Sequence, residues 1–144
     1  MDLSTESNLS RENVRKVSFM DKKSKPNNKA MRQTIHQKYG GRCAYCGEEI
    51  KMESMHIDHL KPIYRGNPSV NPAYRGPDDI SNMMPACRVC NLWKSVWSLE
   101  DFRSEISAQV DRLRQRSANF RIAEKYGMVV PVTQPVVFWF EQLA

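Results

Sequence analysis

No apolar run in this 144-residue chain approaches the ~18 residues a bilayer crossing needs, and the N-terminus is polar. A membrane span and a secretory leader are therefore not expected, and a cytoplasmic setting, bacterial or phage, is. Beyond residue 42 there is no net charge: residues 43–144 hold twelve Lys/Arg and twelve Asp/Glu. Cysteine is sparse, at four. With no secretion signal, those four do not read as the disulfide framework of a secreted mini-protein.

What is present is unevenly distributed. Residues 1–42 carry ten Lys/Arg against four Asp/Glu, so the whole excess of +6 lies there. Such a segment attracts polyanions, nucleic acid first among them. The length allows one domain with a modest core plus tails. Residues 1–28, rich in Ser, Asn, Lys and Arg, read as a basic flexible N-terminal arm.

The cysteines form two pairs, Cys43-x-x-Cys46 and Cys87-x-x-Cys90. Two such pairs supply four soft thiolates, the ligand number of a structural tetrahedral zinc, and Gly47 suits the tight turn of a knuckle. The interval from Cys46 to Cys87 exceeds the ~15 to 20 residues of a compact zinc ribbon. A functional insert is expected to fill it.

Along the chain, Met31, Ile35 and Tyr39 recur every four residues and predict a short helix ending at Gly40 and Gly41, with His36 off its apolar stripe. Alternation predicts a strand through Met55, Ile57 and His59 on one side and His56, Asp58 and Leu60 on the other, closed by Pro62. Residues 62–80 hold four prolines and two Tyr-Arg-Gly triplets and predict a long loop carrying Arg65 and Arg75. The return strand is expected to begin at Asp79, ahead of Asn82. A helix should open near Asn91, with Trp93 and Trp97 one turn apart in the core. Ser98 heads a capping-box-like start, and Leu99, Phe102, Ile106, Val110 and Leu113 predict one amphipathic helix, with Arg103, Arg112, Arg114 and Arg116 on its outer face. Residues 135–140 read equally as a strand or as a Pro-started helix.

Inside the cysteine staple stand Asp58-His59 with Pro62 three residues on, then Asn82, then Cys90-Asn91 with Lys94 three residues further. That set, in that order, resembles the HNH endonuclease family over about residues 38–103. The resemblance implies an α+β fold: a small ββα-metal (HNH) core, stapled by a four-cysteine zinc site and flanked by helices. It places the nuclease domain at residues 29–103, with a C-terminal helical extension, 104–144, packed on the core.

The resemblance also assigns roles. His59 is the general base for the attacking water, which suits a side chain whose ordinary pKa lies near working pH. Asp58 and Asn91 hold a catalytic divalent cation, and as hard oxygen ligands they favour Mg²⁺ or Mn²⁺. Asn82 supports the loop and the base, and Lys94 contacts the phosphate or the transition state. Cys43, Cys46, Cys87 and Cys90 hold the structural Zn²⁺. His56 is expected to be structural. The expected partner is DNA, double-stranded, and a homodimer is one route to cutting both strands. A zinc-stapled nucleic-acid-binding module without catalysis is the alternative from another class. A redox role fits poorly, because no thioredoxin-like context surrounds either pair.

Overall fold

The computed structural model describes residues 29–144. The basic arm expected over residues 1–28 lies outside them. At the centre is an antiparallel pair, β1 (His56–His59) and β2 (Met83–Ala86), with His56 opposite Ala86 and His59 opposite Met83. Helix α2 (Arg88–Lys94) follows β2 directly, so two strands and a helix form one ββα unit with the cysteine cluster at its side.

Helix α1 (Lys29–Gln37) precedes this unit, and its apolar stripe buries Ile35 with Met31 and Tyr39 packed alongside. Gly40 and Gly41 take φ of +63° and +75°, which end the helix with a left-handed reversal. Lys38 ties the helix to the sheet, its Nζ donating to the Met83 carbonyl at 3.0 Å, and burial lowers its pKa. His36 Nε2 lies 2.6 Å from the Ile50 carbonyl oxygen.

Four elements differ from the sequence expectation. The return strand begins at Met83 rather than Asp79, because the Asp79 carboxylate accepts from Ser81 N at 2.9 Å and winds Ile80–Asn82 into a 3-10 turn. Trp93 is 50% exposed while Trp97 packs on the core. The two do not share a helix: α2 stops at Lys94, and Ser95 reverses the chain at φ +48°.

The single amphipathic helix is in fact two, α3 (Leu99–Ser107) and α4 (Gln109–Arg116). Near the break, Ser107 Oγ donates back to the Arg103 carbonyl and Gln109 Nε2 to the Glu105 carbonyl, each competing for backbone acceptors. Phe102 buries against the core, whereas α4 and α5 (Ala118–Lys125) bury no residue fully and pack on each other. Lastly, residues 135–138 form neither a strand nor a Pro-started helix; they lead irregularly into the short helix α6 (Trp139–Gln142), which Phe138 caps.

Residues 136–140 return to cover the knuckle. Trp139 N donates to the Tyr45 carbonyl and Phe140 N to the Ala44 carbonyl, each at 2.9 Å. Phe138 is buried between Tyr45 and Phe102, stacked on the latter at 5.5 Å between centroids. Arg103, read from the sequence as an outer-face residue, clips this segment down: it pairs with Glu141 at 2.5 Å, donates to the Val136 carbonyl and lies 4.6 Å from the Phe138 ring centroid. No helix among the described residues is long and apolar enough to cross a membrane.

Candidate active site and metal centre

At the end of β1 the chain bends at Leu60 and Lys61. Although they alternate along β1, Asp58 and His59 both line one groove together with Asn91 of α2. The groove has a volume of about 690 Å³, with Tyr64 and Arg65 on the loop side and Ser95 and Val96 beyond the helix end. Tyr64, Arg65 and Ser95 are the three non-glycine residues at positive φ among the described residues. Backbone strain is thus gathered on this one surface, as is common where a site is shaped against local preference.

His59 is 14% exposed in its side chain, with Nε2 2.8 Å from Asp78 Oδ1. Asp78 lies in the loop over residues 62–80 and has no role assigned from the sequence; the signal available was the acidic pair Asp78-Asp79 just ahead of Asn82. Asn82 braces the far side of the bend: its Oδ1 accepts from Lys61 N, and its Nδ2 donates to the carbonyls of Lys61 and Pro77, all within 2.9 Å. Gly76 lies so close that a Cβ there would come 2.2 Å from the Lys61 carbonyl oxygen.

Asp58 is 7% exposed. Its Oδ2 accepts from the Tyr45 hydroxyl and lies 3.0 Å from Lys94 Nζ, whereas Oδ1 takes no hydrogen bond from the described residues. Lys94 is 0% exposed and also donates to the His59 carbonyl at 2.8 Å. Its ammonium therefore points into the protein rather than into the groove. A buried lysine needs this pairing, because a lone charge out of water costs several kcal/mol or more.

His56 faces a separate depression with Lys29, Arg32 and Met52, its Nδ1 3.5 Å from Asn91 Nδ2. Arg75 folds the loop on itself, donating to the carbonyls of Asn67 and Val70.

Tyr45 was not singled out in the sequence. Its ring is enclosed by Phe102, Phe138 and Phe140, edge-on at 5.6, 5.5 and 6.4 Å. Burial, and next the Asp58 carboxylate, push its phenol well above the ordinary range, so it stays a neutral donor. The aromatic run at residues 138–140, which had no partner in the sequence reading, was the clue that an aromatic socket existed.

The four cysteines converge, with sulfur atoms all within 4.8 Å of one another, and can hold one metal ion. Gly47 at φ +78° closes the knuckle, its N–H donating to the Cys43 carbonyl at 3.0 Å. On the other arm Cys87 caps α2, its sulfur accepting from Cys90 N at 3.3 Å. The Cys43 thiol is pulled down to about 5, chiefly by its hydrogen bond with Cys90. The same contact, then burial, drives Cys90 up, and burial pushes Cys87 up to about 12. One thiolate among neighbouring thiols is the arrangement in which a bound cation replaces shared protons.

Residues 43–96 match the family model described as HNH endonuclease. Among solved structures the chain is similar to the Type II-C Cas9 enzyme from Actinomyces naeslundii, at 21% identity and a TM-score of 0.42. The match covers 65% of this chain and 10% of that one, so the chain corresponds to about a tenth of that enzyme's length. No curated protein matches the chain. The family match spans both cysteine pairs, the two strands and α2, so residues 43–96 are similar to the HNH endonuclease family.

Proposed function

We propose that this protein is a metal-dependent endonuclease that hydrolyses DNA phosphodiester bonds, with His59 activating the attacking water. The observation that carries the reading is the meeting of Asp58, His59 and Asn91 on one groove, apart from the cysteine cluster. Phosphodiester hydrolysis needs a base, charge stabilisation on the phosphoryl oxygens and help for the departing 3′ oxygen. With Nε2–H donating to Asp78, the His59 ring keeps Nδ1 as a lone-pair base. Asp78 thereby orients the ring that takes the proton from water.

Asp58 through Oδ1 and Asn91 through its side-chain oxygen would hold a divalent cation, and two hard oxygens suit Mg²⁺ or Mn²⁺. Bound there, the cation would neutralise charge on the phosphoryl oxygens and assist the leaving oxygen. Lys94 anchors the Asp58 carboxylate and fixes the His59 backbone, and Asn82 holds the bend that follows His59. Arg65, at the groove's loop wall, is placed to meet the DNA backbone.

The cysteine cluster fits structural zinc. Four thiolates about 2.3 Å from a tetrahedral zinc stand about 3.8 Å apart. Cys46 and Cys87 sulfurs lie 3.9 Å apart. The excess of +6 charges supports a nucleic-acid substrate, which we take to be double-stranded DNA. Cutting both strands from one site per chain calls for a homodimer or two successive nicks.

The test is cleavage of supercoiled plasmid with Mg²⁺ or Mn²⁺, beside EDTA and beside His59→Ala, with zinc measured on the same protein. Nicked or linear product that disappears in both controls, with His59→Ala still folded and still binding DNA, is the expected result. Bound zinc and salt-sensitive DNA binding without cleavage would instead leave a binding module.

A further inference from the structure

We propose that Tyr45 is a positioning residue for the divalent-cation site, its hydroxyl fixing the Asp58 carboxylate so that Oδ1 is presented to the groove. The inference rests on the nuclease reading given above. A carboxylate on a short strand can rotate about its last torsion, and a single partner on Oδ2 would leave that rotation open. Here Oδ2 is held twice, by the directional hydroxyl of Tyr45 and by the Lys94 ammonium at 3.0 Å. Lys94 alone would supply the counter-charge; the hydroxyl adds direction.

Tyr45 itself is 3% exposed and held from three sides. Its ring meets Phe102, Phe138 and Phe140, its carbonyl accepts from Trp139 N at 2.9 Å, and it lies between Cys43 and Cys46 in the knuckle. A phenylalanine would fill the same aromatic socket. Among the described residues the hydroxyl has one partner, Asp58, so packing alone does not account for it. Groups that orient a metal ligand in this way weigh heavily on cation affinity, their loss costing roughly 10- to 100-fold.

Tyr45→Phe tests this on the zinc-loaded chain, with Mn²⁺ binding read by electron paramagnetic resonance and plasmid cleavage read across a Mn²⁺ titration. The expected result is Mn²⁺ binding weakened about 10- to 100-fold. Zinc content should be unchanged, and most of the cleavage rate should return at high Mn²⁺. Mn²⁺ affinity within twofold of the parent overturns the proposal. Should Tyr45→Phe lose zinc, it is titrated with zinc restored to one equivalent. Phe138→Leu, which loosens the socket but keeps the hydroxyl, is the control: Mn²⁺ binding weakened as much as in Tyr45→Phe assigns the loss to packing and overturns the proposal, and binding nearer the parent's supports it. A parent that binds Mn²⁺ without cutting DNA removes the nuclease reading while the variant-to-parent affinity ratio still decides Tyr45. A parent that binds no Mn²⁺ overturns both.

Discussion

Lys94 Nζ lies 3.0 Å from Asp58 Oδ2, with side-chain exposures of 0% and 8%. Each charge is tolerable inside the protein because the other is there. Removing one partner of a buried pair typically costs about 3–5 kcal/mol, since the survivor is left uncompensated. Lys94→Met should therefore lower stability by about that amount in urea unfolding of the zinc-loaded protein. Adding Asp58→Asn should restore part of it. A Lys94→Met protein that unfolds at the parental midpoint would show that the pair is not a desolvated one.

Zinc removal gives a sharper stability prediction. Structural zinc in small domains contributes on the order of 10 kcal/mol. Cys87→Ser or Cys90→Ser should lose the metal and the near-ultraviolet signature of the aromatic socket together, although a serine at 87 can still cap α2. Melting curves that coincide with the parent's would remove the staple.

Arg103 and Glu141 predict a pH dependence. The hydrogen bond from Arg103 holds the Glu141 carboxyl below the usual carboxylate range. A depressed folded pKa means the pair's stability is fully present above the unfolded value, about 4.3, and is lost as pH falls through the folded one. Arg103→Ala should cost about 2 kcal/mol at neutral pH, through the lost pair and the lost Phe138 contact. The gap between variant and parent should narrow as the pH drops below about 4. Comparing the two chains cancels acid effects on the thiolates; a gap that does not change with pH would contradict the assignment.

Gly76→Ala probes the bend after His59. Its Cβ would fall 2.2 Å from the Lys61 carbonyl oxygen and 2.6 Å from Asn82 Nδ2, so the loop must shift. Overpacking of this kind costs about 1–3 kcal/mol. Cleavage should fall at least about tenfold, because a misplacement of about 1 Å can cost 10²-fold. A variant with parental turnover would mean that Asn82 does not govern the base.

The residues with specific chemistry were legible because their identity and order carry the information. Paired thiols at fixed spacing, an Asp-His ahead of a proline and an Asn after the last cysteine carry the resemblance to the HNH endonuclease family, and that resemblance implies the α+β ββα-metal core without any packing argument. What periodicity could not supply was the covering partner of each face. Lys94 reads from the sequence as a groove cation and lies inside, since nothing in a linear order says that Asp58 and the His59 carbonyl surround its ammonium. Trp93 and Trp97 share a helical spacing, but Ser95 breaks the helix between them. Arg103 has the pattern of a solvated residue until Glu141 arrives from the other end of the domain. Tyr45 draws no role from the sequence for the same reason: its three aromatic neighbours are remote in sequence.

That remoteness links the groove to the far end of the domain. The knuckle closes on Cys87 and Cys90 across an interval of 41 residues from Cys46 to Cys87, whereas its aromatic cover comes from residues 138–140, more than twice as far along. The hydroxyl partner of Asp58 is thus seated by aromatic contacts that span more than ninety residues of sequence, and a change near the C-terminal end of the domain reaches Asp58 through Tyr45.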